Sequence, residues 1–144
     1  MSNASEAVQE ASKLLEDVAV VKSFIGPEQF SAMSIGVRGE ERGHFLGKFS
    51  ELARTISTMA KTYEQDGKGE DAIVYLHYFY GSADWYITEK DMEDEQYQAF
   101  GLADLYGDGG ELGYISIVEL VNNRVELDLF WTPKTLREVR ASRK

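Results

Sequence analysis

Any reactive chemistry in this chain has to come from oxygen and nitrogen, because it has no cysteine and only two histidines, His44 and His77. The missing thiols exclude disulfides, thiolate zinc sites and cysteine nucleophiles, and they fit a reducing cytosol. His77 lies in the apolar run 72–80 with Ile73, Tyr75 and Phe79 on its face, which reads as a hydrogen-bonded core histidine. His44 opens a helical pattern and reads as exposed. No serine has the strand–turn–helix context of a nucleophile elbow, so Ser-His-Asp chemistry is not expected. Among the carboxylates, Asp84, Glu89, Glu126 and Asp128 would form acid–base pairs if their strands were neighbours. A solvated sheet face is the plainer reading of the same four. Asp104, Asp108 and Glu111 offer oxygen to a hard cation, but their spacing does not match a calcium loop. Gly36, Gly39 and Gly43 resemble a phosphate loop in composition only, without the Lys-Ser/Thr ending or a preceding buried strand. We expect no catalytic residue, no metal and no cofactor.

The elements that position these groups follow from periodicity. Val8, Ala11, Leu15, Val18, Val21 and Ile25 recur in steps of three and four, which predicts a helix over 5–25 with Ser5 as N-cap and Gly26-Pro27 as its stop. The glycine-rich stretch 31–43 reads as a loop. Phe45, Phe49, Leu52, Ile56, Met59 and Tyr63 predict a second helix over 43–63, packed on a sheet. Strands are expected at 72–80, 85–89, 97–105 and 125–131, joined as an antiparallel meander. Ser116 with Glu119 marks the capping box of a short helix before the last strand. The fold class is therefore α+β: two amphipathic N-terminal helices packed on a mainly antiparallel sheet of about four strands. The expected organisation is a single domain over 1–144. Residues 1–40 form an N-terminal helix and loop, 41–136 the core, and 137–144 a basic tail.

Formal net charge is −10, and it is unevenly placed. Residues 64–111 hold thirteen acids and two bases, Lys68 and Lys90, whereas 1–63 are nearly balanced and 112–144 are slightly basic. Such a stretch repels phosphates and anionic lipid and attracts basic partners. Aromatic residues concentrate at the first hairpin, Tyr75, Tyr78, Phe79, Tyr80, Trp85 and Tyr86; they read as sheet core, with one or two left to anchor a protein partner. The hydrophobic fraction of 43% argues against disorder. No apolar run approaches the roughly 20 residues that span a bilayer. The first residues lack a basic segment followed by an apolar one, so no signal peptide is expected. A soluble, cytoplasmic protein is therefore expected.

Several segments between about residues 41 and 136 carry a family resemblance. They are Phe45-Leu-Gly-Lys-Phe-Ser-Glu-Leu-Ala, Lys61-Thr-Tyr-Glu-Gln-Asp-Gly67, His77-Tyr-Phe, Asp84-Trp-Tyr-Ile-Thr-Glu-Lys-Asp91, Ala99-Phe-Gly, Glu111-Leu-Gly-Tyr-Ile-Ser-Ile-Val-Glu-Leu120 and Glu126-Leu-Asp-Leu-Phe-Trp-Thr-Pro-Lys-Thr-Leu136. Together they resemble a domain of unknown function found in plasmid and phage proteins, alone or within large polyvalent DNA-processing proteins. The neighbours of that domain include methylases, helicases and antirestriction proteins. The resemblance implies mobile-element biology and brings no reaction and no catalytic residue.

Acidity and resemblance together suggest a mobile-element protein that binds and inhibits a host nucleic-acid-targeting defence complex, of anti-CRISPR or antirestriction type, by acidic mimicry of nucleic acid. The expected partner is a basic host protein complex that binds nucleic acid; no direct nucleic-acid contact and no membrane are expected. The expected contacts are Asp84, Glu89, Asp91, Glu93, Asp94, Glu95, Asp104, Asp108 and Glu111. Two alternatives stand beside this: a non-catalytic accessory or scaffold module of a phage or plasmid DNA-processing complex, and a carboxylate- or metal-dependent enzyme. The oligomeric state is not legible.

Overall fold

In the computed structural model, which describes residues 3–142, the apolar spacing of the first part of the chain produces three helices, α1 (Asn3–Lys22), α2 (Pro27–Val37) and α3 (Arg42–Thr58). They make up one compact unit, Met1–Thr58. Pro27 opens α2 at a position where its missing N–H costs nothing, with Gly26 as N-cap. The stretch expected as a loop is therefore mostly helical. Gly36 explains the error: a Cβ there would lie 2.2 Å from the Phe45 ring, so this glycine lets α2 and α3 approach closely. Met33, Phe49, Leu52, Ala53 and Ile56 are buried, and Phe30 meets Phe49 edge to face at 6.1 Å. On α1 the stripe is covered only toward its C-terminal end, where Val21 is fully buried; Val8 and Leu15 stay exposed.

Residues Met59–Lys144 form the second unit. Its centre is an antiparallel sheet in the order β5-β4-β3-β2-β6. The strands are β2 (Leu76–Tyr80), β3 (Ala83–Glu89), β4 (Ala99–Asp104), β5 (Glu111–Ile115) and β6 (Glu126–Leu127). The short helix α4 (Ile117–Asn122) precedes β6, and the Ser116 hydroxyl accepts the Glu119 amide at its start. A separate two-stranded ladder pairs β1 (Ile73–Val74) with β7 (Lys134–Thr135), and α5 (Leu136–Ser142) follows it. The class is α+β, with five strands in the main sheet where about four were expected.

Two expected strands are shorter than their sequence pattern. The run 72–80 is interrupted at Tyr75, whose N–H donates to the Ile87 carbonyl at 2.8 Å. The run 125–131 ends after Leu127 because the Asp128 carboxylate turns back to accept the Phe130 amide at 2.9 Å. Alternation along the strands gives two apolar faces. One buries Leu76, Tyr78, Ile87, Ala99, Ile115 and Leu127. The other places Tyr86 and Leu102 with Val74, Leu136 and Val139, and Trp131 packs against that cluster. Gln65 ties the entry loop to the sheet. Its side-chain amide accepts the Ile73 N–H at 2.7 Å and donates to the Ile73 and Thr88 carbonyls at 2.9 and 2.7 Å. Among the described residues no helix is long and apolar enough to cross a membrane.

Candidate functional site

Two groups of polar side chains stand out in the sheet unit. The first is built around His77. Strand alternation turns it to the face opposite Leu76 and Tyr78, and antiparallel register sets it across from Tyr86, on whose ring it stacks at 4.8 Å. Trp131 closes a further side at 5.1 Å, held by an Nε1–H bond to the Val74 carbonyl, and the Lys134 ammonium lies 4.5 Å above the indole. Nε2 is 2.7 Å from Asp84 Oδ1, and Nδ1 is 3.0 Å from Asp128 Oδ2. The Asp128 amide donates to the His77 carbonyl at 2.8 Å, so backbone and side chain dock together.

This arrangement limits the chemistry. A neutral imidazole has one N–H, so filling both bonds needs either an imidazolium or one protonated carboxyl. A general base needs a ring nitrogen open toward its substrate, and both nitrogens here meet carboxylates. The ring also fills the gap between Asp84 and Asp128, where a paired-carboxylate mechanism would seat water or substrate. Of the other carboxylates considered as pairs, Glu126 is exposed on β6. Glu89 is buried, accepting the Tyr63 amide at 2.8 Å and the Thr88 hydroxyl at 2.9 Å. Among the described residues, no three or more His, Asp or Glu side chains are gathered to hold a metal, Asp104, Asp108 and Glu111 included.

The second group is the acidic surface, and the nine carboxylates expected to form it divide. Glu89, Asp91 and Asp104 are buried and cannot meet a partner. Asp91 is an internal tie: its carboxylate accepts the amides of Glu93, Tyr97 and Gln98 at 2.9, 3.1 and 3.2 Å. Asp104 accepts the Gly107 amide at 2.8 Å and fixes the β4–β5 turn. Asp84 is engaged with His77. Glu93, Asp94, Glu95, Asp108 and Glu111 are exposed. These five do not form one patch, because the connection holding residues 93–95 enters β4 and the turn holding Asp108 leaves it.

Around residues 93–95 the surface is richer than sequence suggested. The segment beginning at Lys61 runs beside residue 90: Lys61 and Lys90 form a β-bridge, and the Thr62 hydroxyl donates to the Lys90 and Gln98 carbonyls at 3.1 and 2.9 Å. That brings exposed Glu64 and Asp66 to the same end of the sheet. Lys90 is buried, and its ammonium pKa is held below the usual lysine value, first by burial and then by the Lys61 charge; Asp94 and Glu64 act in the other direction. Tyr63, Tyr97 and Tyr114 are all more than half exposed. The Tyr63 and Tyr114 hydroxyls bond to each other, which raises the Tyr114 pKa above the ordinary phenol value. Tyr63 holds a left-handed backbone conformation, φ 78°, costly for a non-glycine residue. The donation of its amide to buried Glu89 fixes it there.

Residues 49–133, more than half of the chain, match the family described as "Protein of unknown function (DUF2958)". The chain belongs to the DUF2958 family. No curated protein matches it, and no solved structure does. The DUF2958 match runs from within α3 to the residue before β7, and so contains the whole acidic rim and the His77 array apart from Lys134. It leaves out α1, α2 and α5.

Three tyrosines and two acids of the rim, Tyr63, Tyr97, Tyr114, Glu64 and Asp66, escaped sequence reasoning. A signal existed for Tyr114: 111–115 is a short strand in which Leu112 and Tyr114 share parity, so both face one side. For Tyr63 the helical period pointed to the α3 stripe, but α3 ends at Thr58, five residues earlier.

Proposed function

We propose that this DUF2958 protein is a non-enzymatic, protein-binding module of a mobile element. In this reading it engages a basic host complex that handles nucleic acid and blocks it by presenting carboxylates where phosphates would lie. The observation that carries the reading is the rim of Glu64, Asp66, Glu93, Asp94 and Glu95, interleaved with exposed Tyr63, Tyr97 and Tyr114, while the nearby Lys90 is buried. Carboxylates steer a basic partner, and tyrosines add apolar contact at low entropic cost. A non-catalytic role is favoured over the enzyme alternative because His77 has both ring nitrogens against carboxylates.

The test is capture from a bacterial host lysate, eluting with rising salt and identifying the bound proteins by mass spectrometry. A basic nucleic-acid-binding protein should elute in the salt range that dissociates DNA complexes. The variant Glu93→Lys, Asp94→Lys, Glu95→Lys should keep its fold and lose that protein. Asp91 stays unchanged in the variant, because its carboxylate is part of the scaffold. Capture unchanged by the triple substitution removes the rim from the interface. Direct, salt-sensitive binding of DNA or RNA by the wild-type chain refutes the partner class.

A further inference from the structure

We propose that β5 is an acceptor edge, onto which an extended basic segment of the partner adds as a sixth strand. This inference rests on the protein-binding reading above and specifies how the partner is held. The main sheet has two edges. β6 is two residues long and turns away at Asp128, so it offers little backbone. β5 has five residues and pairs with β4 along its length, from Ala99 opposite Ile115 to Ala103 opposite Glu111. Among the described residues no strand lies beyond it. Half of its backbone N–H and C=O groups therefore point away from β4.

Natural edges are usually protected by a lysine, a proline, a bulge or a covering element. The sequence Glu111-Leu-Gly-Tyr-Ile115 contains neither lysine nor proline, and its one charged residue, Glu111, stands at the start of the strand and leaves the next four positions uncharged. The sheet's register shift lies between β3 and β4, not at β5. Leu112 is 49% exposed and Tyr114 is 56% exposed, and a Cβ built on Gly113 would meet nothing within 4 Å. The edge is thus open both along its backbone and over two apolar side chains. Strand addition uses main-chain hydrogen bonds for affinity and alternate side-chain sites for selectivity.

Charge selects the occupant. Glu111 begins the strand, and at its far end the Tyr63–Tyr114 contact leads to Glu64, Asp66 and the acids at 93–95. A second copy of this chain would bring a net charge of −10 against −10. A segment alternating basic and apolar residues satisfies both features: apolar residues over Leu112 and Tyr114, basic ones toward the carboxylates.

The probe is a nine-residue peptide alternating valine and arginine, titrated into the isotope-labelled full chain and followed by amide NMR shifts and hydrogen exchange. Saturable shifts over residues 111–115 are expected, with exchange of the outward β5 amides slowed about tenfold, the population change worth roughly 1.4 kcal/mol. The same peptide N-methylated at alternate residues should bind at least about tenfold more weakly, because it cannot complete the ladder, while its charge is unchanged. Equal binding of the methylated peptide, or shifts confined to residues 93–95, overturns edge addition and leaves the acidic-rim reading intact. No binding at all also overturns edge addition; the lysate capture then decides the rim separately. Self-association that protects the β5 amides in the absence of peptide overturns the choice of a basic occupant.

Discussion

Replacing Asp91 with alanine should damage the acidic connection from the inside. Asp91 is 4% exposed, and its carboxylate accepts three backbone amides, at 2.9, 3.1 and 3.2 Å. A hydrogen bond to a charged group contributes about 1.5–3 kcal/mol net. Residues 93, 97 and 98 are themselves exposed, so water re-solvates part of what alanine leaves open. Counting one or two uncompensated bonds gives a loss of about 1.5–6 kcal/mol. Urea unfolding followed by tryptophan fluorescence suits this test, because Trp85 and Trp131 both lie in the unit Met59–Lys144. Hydrogen exchange of the amides of residues 93, 97 and 98 should accelerate in step. Asp91→Asn keeps one acceptor oxygen and should cost less. The triple change of Glu93, Asp94 and Glu95 to lysine should cost less than Asp91→Ala, since those side chains are exposed, with most of any loss coming from residue 94, whose left-handed backbone (φ 61°) suits aspartate better than lysine. A loss below about 1 kcal/mol for Asp91→Ala would refute the assignment of Asp91 to the scaffold, because a merely solvated carboxylate costs that little to remove.

Three further outcomes are checkable. Gln65→Ala removes three backbone contacts from a buried amide and should cost about 2–4 kcal/mol in the same urea assay; a neutral result means the entry loop is held by other contacts. His77→Phe keeps the stack on Tyr86 but leaves Asp84 and Asp128 facing each other uncompensated, for a loss of about 1–3 kcal/mol; adding Asp84→Asn and Asp128→Asn should recover most of it, and no recovery would show that the histidine acts only through packing. In an ultraviolet pH titration of the eight tyrosines, Tyr78 and Tyr114 should ionise late, Tyr78 because burial raises its pKa and Tyr114 because of the bond to Tyr63. The folded chain then binds more protons than the unfolded one above the usual phenol value, so stability falls as pH rises through that range. Tyr114→Phe should remove one late phenol and leave the other; ionisation of all eight together below the unfolding pH contradicts both assignments.

The sequence was legible where one side of an element decides its fate. The α3 stripe of Phe49, Leu52 and Ile56 is buried, and Ser116 caps α4. It misled where a distant residue set the outcome. Gly36 sits within a helix because Phe45 needs the space, which no local propensity encodes. At Tyr75 the run changes neighbours, Val74 pairing with Lys134 of β7 and Leu76 with Ile87 of β3, so one long strand became two. The acidic residues show the same limit. Formal charge says nothing about which way a side chain turns, and Glu89, Asp91 and Asp104 turn inward onto backbone amides. A partial signal was present for Asp91 and Asp104, since Asp commonly binds an amide two or three residues ahead in a turn. The meeting of His77 with Asp84 and Asp128 had no such signal, because it depends on β2, β3 and β6 being neighbours and on β6 ending where it does.

Charged surface loops usually lose freedom when they bind, and each ordered residue costs roughly 1–2 kcal/mol of backbone entropy. The connection from Asp91 to Gln98 contains neither glycine nor proline, and it holds Asp94 and Gln96 in left-handed conformations, φ 61° and 62°. Those conformations are maintained from within by the Asp91 carboxylate and by the Gln96 side chain, which accepts the Asp91 amide at 3.1 Å. If this loop binds as proposed, that ordering is completed during folding and does not enter the free energy of association. On that proposal, three carboxylates displayed this way stay individually weak and exchangeable while the array gains from being ordered in advance. A partner could then be gained or lost by changing only residues 93–95, with the frame beneath them untouched.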